Sequence, residues 1–268
     1  MISLFSFKEK NTPGTHLPVF LQPIEIDTFL EEHNALIKRL KIAYSERSSW
    51  ETHILPCVRE LALVCGHLPY SSNGIFSDVD GLFKASITAA TYAIEIMESS
   101  VQLEKNIMAQ HLLQNRLKAA AVLASLCAFL DVFDQKIIIR EKASNKDFTF
   151  FHISETNHVN HQAFEPLAMP YVTWIEEKLS QNSTIELELL WNPTTPLSRS
   201  RQMARLFYAR HVLLPETLAW LSNAGRLPLT ELLKCLTEES TPDNLPSSVI
   251  RARNLGVYRA CLLERERI

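Results

Sequence analysis

The chain has 268 residues and a mass of 30.6 kDa, enough for one large domain or two small ones with a real core. Apolar residues make up 46% and charged residues 21%, a globular balance that argues against disorder. With 27 Lys and Arg against 30 Asp and Glu the net charge is −3, which excludes a basic grip on nucleic acid over the whole surface but not a local patch.

Residues 1–22 show no clear period and carry Pro13, Gly14 and Pro18, so they read as an irregular arm. Residues 23–268 read as one helical domain. A first helix is expected from Ile24, because Phe29, Leu30, Leu36, Ile37, Leu40 and Ala43 recur at three- and four-residue steps. A second should run over about 48–67, with Pro56 as a kink or true start and Pro69 as a stop. After a polar loop over 70–80, a third helix is expected from about Gly81 to Ser99 and a fourth from about Ile107 to Phe133. The middle of the fourth is apolar all round, as a buried central helix would be. QKIIIRE and FTFFHIS flank the turn-rich KASNKD and predict an antiparallel hairpin, and IELELLW predicts a further strand. Helices are expected between them over about 166–180, and afterwards over about 197–210, 215–222, 228–238 and 247–264. The fold class is therefore mainly α, a helical bundle with a small antiparallel hairpin or three-stranded sheet.

The five Cys form no CxxC pair and sit mostly in apolar helical pattern, which points to reduced thiols and a cytoplasmic protein. MISLFSFKEK does not read as a signal peptide. The longest apolar stretch, from Ala119 to Leu130, is about 12 residues, and a membrane span needs about 20. With only 6 Gly, and neither GxGxxG nor GxxxxGK[ST], no phosphate-cradling loop is visible.

Three stretches carry a family likeness: FLEEHNALIKRLKIAYSERSSWETHILPCVRELALVCGHLPYSS, then GLFKASITAATYAIEIM, then LKAAAVLASLCAFLDVFDQK. Their order resembles the TraI-type relaxase domain of the MobH class, a branch of the HD-hydrolase superfamily found in integrating conjugative elements and related plasmids. The resemblance covers roughly residues 25–240 and is most specific in the first half. It implies an HD-like bundle, a place in a conjugative or integrative mobile element, and protein partners in DNA transfer.

The same likeness locates the departures. HD hydrolases hold divalent metal through imidazoles and carboxylates, and the metal makes bound water a nucleophile. Where the family carries clustered His, this chain reads Gly74, Ile75 and Phe76. The helix His matches Ala85, and the His-Asp pair reads Leu130 and Asp131. The Gly and Lys that follow match Phe133 and Asp134, and the later His falls in LSRSRQ, which has none. Hydrocarbon side chains have no lone pair to offer, and one carboxylate does not satisfy an ion needing about four to six ligands. The resemblance thus implies a degenerate domain without metal, cofactor or catalytic residues, with Asp131 a relic of the metal position or a carboxylate paired with a neighbouring donor.

Other candidates are fewer. His152, His158 and His161 have the best metal-like spacing, H-x5-H-x2-H, and could serve a hydrolase with relocated ligands that include Asp131. The plain alternative is surface histidine. No GxSxG elbow supports a serine nucleophile, and Cys57 and Cys127 have no His paired by spacing. Arg199, Arg201, Arg205 and Arg210 form a basic cluster that could contact DNA phosphates, with Arg251, Arg253, Arg259, Arg265 and Arg267 on the last helix. The alternative is a solvated face paired with Glu. Leu-rich stripes on the first and last helices read as core, and any exposed part of the last helix's stripe reads as a helix-docking or dimer surface. The expectation is a non-catalytic accessory or scaffold protein, against a relocated-ligand phosphohydrolase or nuclease and a DNA-binding module. No membrane partner is expected, and the oligomeric state is left open.

Overall fold

A computed structural model describes residues 22, 24–72, 75–99, 107–133, 137–142, 146–149, 170–181, 186–191, 198–237 and 248–265. The arm over 1–21, the three candidate histidines and residues 266–268 lie outside them. The described part is mainly helical with one small sheet.

The first expected helix divides into α1 (Ile26–Glu32) and α2 (Asn34–Tyr44). Glu25 starts α1 by accepting from the Asp27 and Thr28 amides, and the chain turns at His33, which leaves the helical region (φ −97°, ψ 10°). The second expected helix begins as α3 (Arg47–Ser49), widens into a π-turn over Trp50–Ile54, and continues as α4 (Leu55–Cys65). Pro56 accounts for the break: it lacks an amide to donate and crowds the preceding turn, so it sits in the first turn of α4. Trp50 and Ile54 remain buried through the wide turn, and the buried Tyr44 hydroxyl is satisfied by Ser49 Oγ at 3.0 Å.

α5 (Gly81–Ser99) has the expected bounds. Gly81 is obligatory in packing terms, because a Cβ there would collide with the Phe76 carbonyl. α6 (Ile107–Leu126) is shorter than expected, and the residues beyond it close into a 3-10 turn over Leu130–Phe133. From Ala119 to Phe133 every side chain is buried, as the all-round apolar pattern requires. Asp131 therefore sits in a tight turn and not on a long helix.

β1 (Ile137–Glu141) pairs antiparallel with β2 (Lys146–Thr149) and, on its other edge, with β3 (Leu187–Trp191), giving the order β2-β1-β3. The register opposes Ile137 to Trp191 and Ile139 to Leu189, and Ile137 and Ile139 are buried. The expected continuation of β2 into FFHIS falls outside the described residues. α7 (Tyr171–Gln181) precedes β3, and α8 (Ser198–Val212), α9 (Pro215–Ser222), α10 (Arg226–Thr237) and α11 (Ser248–Arg265) follow it. Pro215 opens α9, and Pro228 lies in the first turn of α10, where a missing amide costs little.

One apolar cluster runs from Ile24 to Ala260. Its closest seam joins α11 to α5. Ala252, Gly256 and Ala260, four residues apart on α11, lie buried, as do Ala85, Ala89 and Ala93 on α5. A Cβ on Gly256 would stand 2.6 Å from the Ala89 oxygen and 3.0 Å from the Ala93 nitrogen. The two backbones approach as closely as they do because α11 has no side chain at that point. No helix among the described residues is long and apolar enough to cross a membrane.

Candidate functional site

Apart from Asp131, the described positions to which the resemblance assigns metal ligands are filled by hydrocarbon. Ala85 and Leu130 are fully buried in the apolar cluster, and Phe76 is buried with φ +53°. Ile75 packs against the same cluster, and Gly74 lies outside the described residues. Asp131 is the sole oxygen donor of the matched set, and it faces Arg205 Nη2 at 3.5 Å. These residues do not fit a divalent cation: the donors are too few, and the one carboxylate is directed to a guanidinium.

Arg205, expected in a DNA-contacting row, is corrected by its surroundings. It is 3% exposed on the inward side of α8, because it neutralises Asp131. Arg210 is exposed and lies 4.1 Å over the Phe207 ring, with its Nε 3.3 Å from His211 Nε2. The side chains of Arg199 and Arg201 lie outside the described residues, as do His152, His158 and His161. Glu231 of α10 is also buried; its Oε1 meets Lys234 at 3.1 Å and its Oε2 has no hydrogen-bond partner among the described residues.

The buried cysteines Cys57, Cys127 and Cys235 are not activated. Burial pushes the Cys57 thiol up, and burial pushes Cys127 far up, with nearby Cys57 adding to the shift and Arg205 and Arg253 opposing it. Burial likewise pushes Cys235 up to about 12, opposed by Arg253 and Arg205 and aided by Glu231. A nucleophilic thiol needs the opposite shift.

A different polar cluster lies where the sequence reading placed nothing. His33 at the α1–α2 junction and His67 just after α4 both face Asp80, the residue before α5. His67 Nδ1 lies 2.6 Å from Asp80 Oδ1, and His33 Nε2 lies 3.3 Å from Oδ2. The second contact is at ion-pair distance without hydrogen-bond alignment, and His33 Nδ1 is also buried with no hydrogen-bond partner among the described residues. His33 stacks on Phe29 with ring centroids 4.6 Å apart, and Phe83 meets it edge-on at 5.2 Å. Burial by itself raises the Asp80 carboxyl, but the two imidazoles pull the other way and hold it well below the usual carboxylate range.

Backbone bonds fasten the same place. The Asp80 amide donates to the His67 carbonyl, the Leu82 amide to the Leu68 carbonyl, and the Tyr70 amide to the Phe76 carbonyl. Asp80 holds a left-handed conformation (φ +66°) and accepts the first helical bond of α5 from the Lys84 amide. The cluster is a clasp: it ties the α1–α2 junction and the end of α4 to the start of α5. The segments CGHLP and DVDG carry these residues, but nothing in their spacing couples them to His33.

Among the described residues no group of three or more His, Cys, Asp or Glu is placed to hold a metal ion. Comparison of the chain with protein-family models, curated proteins and solved structures finds no match in any of the three.

Proposed function

We propose that this chain is a non-catalytic HD-like protein, a pseudo-relaxase that serves as an accessory or scaffold to the DNA-transfer machinery of a conjugative or integrative element. One observation carries the reading. Ala85 and Leu130, at the positions that the resemblance assigns to imidazoles, are sealed in the apolar core, while Asp131 is bound to Arg205. A hydrolase of this kind works by seating an ion that lowers the pKa of water, and this pocket has been given over to packing. The carboxylate then contributes to structure by neutralising a buried guanidinium.

The test is metal analysis of freshly purified protein together with phosphodiester hydrolysis in Mg, Mn, Fe, Co, Ni and Zn. The reading expects no stoichiometric metal and no cleavage above buffer. Bound metal with cleavage that disappears in Asp131→Asn overturns it in favour of a working hydrolase with relocated ligands. DNA contact is tested separately by anisotropy at two salt concentrations, where phosphate binding weakens steeply as salt rises.

A further inference from the structure

The last helix has its apolar residues distributed in an unusual way. The face of α11 that packs on α5 is made of the small residues Ala252, Gly256 and Ala260. The opposite face carries larger apolar side chains in the open: Leu255 is 38% exposed, Tyr258 60% and Leu262 37%. Leu255, Tyr258 and Leu262 follow each other at steps of three and four, the seam that one helix offers to another, and Arg251 stands one turn before Leu255 at the end of that seam.

Among the described side chains of α11 the exposed charges beside the seam are of one sign. Arg251 and Arg259 are exposed and pair with no acid among the described residues. The α5 acids Glu95 and Glu98 pair elsewhere, Glu95 with Arg39 at 3.3 Å and Glu98 with Lys118 at 3.0 Å. A second copy would be a poor occupant: antiparallel pairing across Tyr258 sets the two Arg259 guanidiniums side by side.

We propose that the outward face of α11 docks an amphipathic helix whose apolar seam is flanked by acidic side chains. Leu255, Tyr258 and Leu262 enter the partner's seam, and Arg251 and Arg259 meet its carboxylates at the rim. The guanidiniums set the orientation and the choice of partner, and the apolar seam supplies most of the affinity. The proposal rests on α11 alone and does not depend on the accessory role proposed above. Its failure would leave that reading standing, and metal-dependent cleavage would leave the docking face standing.

The probe is a labelled three-heptad helical peptide with Leu at the seam positions and Glu at the flanks, titrated against the full chain by fluorescence anisotropy. A matched peptide carries Lys at the flanks. The Glu peptide is expected to bind saturably, roughly tenfold tighter than the Lys peptide, and to weaken as salt rises. Tyr258→Ser should abolish binding. Arg251→Glu/Arg259→Glu should reverse the preference toward the Lys peptide with an unchanged urea midpoint, so a loss of binding is not mistaken for a loss of fold. The proposal is overturned if neither peptide binds, if both bind equally, or if the preference survives the charge reversal. It is also overturned if sedimentation shows a dimer that Tyr258→Ser dissociates, which assigns the face to a second copy.

Discussion

Asp80 and Asp131 are both buried aspartates, and their surroundings differ in kind. Asp80 lies between the imidazoles of His33 and His67 at the mouth of a loop, with backbone bonds closing around it. Asp131 lies in a 3-10 turn against Arg205, with apolar neighbours on the turn and in the core. By residue type the first looks more like a metal centre than the second, but one nitrogen of each imidazole faces the carboxylate, and the cluster holds three segments together. The second has a guanidinium against it and no imidazole contact among the described residues. Composition near an aspartate is therefore a weaker guide to chemistry than what its oxygens face.

The largest effect should come from breaking the second region. Arg205→Met leaves Asp131 buried without its cation, and urea unfolding should show a loss of about 3–5 kcal/mol. The double variant Arg205→Met/Asp131→Leu should recover most of it, because two apolar side chains need no pairing. If the single and double variants are equally unstable, Arg205 acts through packing and not through charge.

The clasp should be next. His67→Ala removes the 2.6 Å contact to Asp80 and should cost about 1.5–3 kcal/mol. Acid should act in the same direction. Folded Asp80 holds its proton less tightly than the unfolded chain, whose aspartates titrate near about 3.9. The unfolded state thus binds more protons in acid, and stability rises with pH there. This contribution is complete above about pH 5 and is lost as the pH falls through about 4 and below. Urea midpoints measured between these limits should drop less steeply in Asp80→Asn than in the parent chain; equal slopes would show that other carboxylates account for the acid response.

Placing an imidazole at the position that the resemblance assigns to one should not create a metal centre. Ala85→His forces a larger polar side chain into the sealed core and should cost about 1–3 kcal/mol. Added Mn or Ni should leave its Tm unchanged, since a ligand stabilises only the fold that binds it. A metal-dependent rise would mean that the position still lies on a usable site.

The smallest effect serves as a control two residues from the clasp. Asp78 bonds Lys84 Nζ at 2.6 Å, a shorter contact than that between Asp80 and His33, yet Asp78 is largely exposed. Asp78→Asn should cost under about 1 kcal/mol by urea unfolding, because solvent screens an exposed pair. A loss as large as that of His67→Ala would show that distance and not burial ranks the two contacts.

Much of the bundle was legible because helical period and proline position are local properties. The bounds of α5 and α9 and the presence of a small antiparallel sheet follow from apolar spacing, turn residues and first-turn prolines, but β2 begins at Lys146, inside the stretch that reads as the turn. The break at His33 was not legible, since the apolar spacing continues across it from Phe29 to Leu36. Nor was the 3-10 turn at Asp131, where the apolar run continues after the helix has ended. The clasp was hidden for a different reason: its residues come from three separate segments, and only the packing of α1, α4 and α5 unites them. Arg205 was misplaced because a basic run reads as a surface until one of its members is seen to answer a buried acid.

The small-residue seam between α5 and α11 also bears on synthesis. The alanine face of α5 is made early, and the helix that covers it emerges more than half the chain later. Between those moments a nascent chain on the ribosome lacks the helix that packs on this face in the folded protein. Closing the bundle therefore waits for a contact between segments far apart in sequence, a slow step during which chaperones have an obvious place to bind.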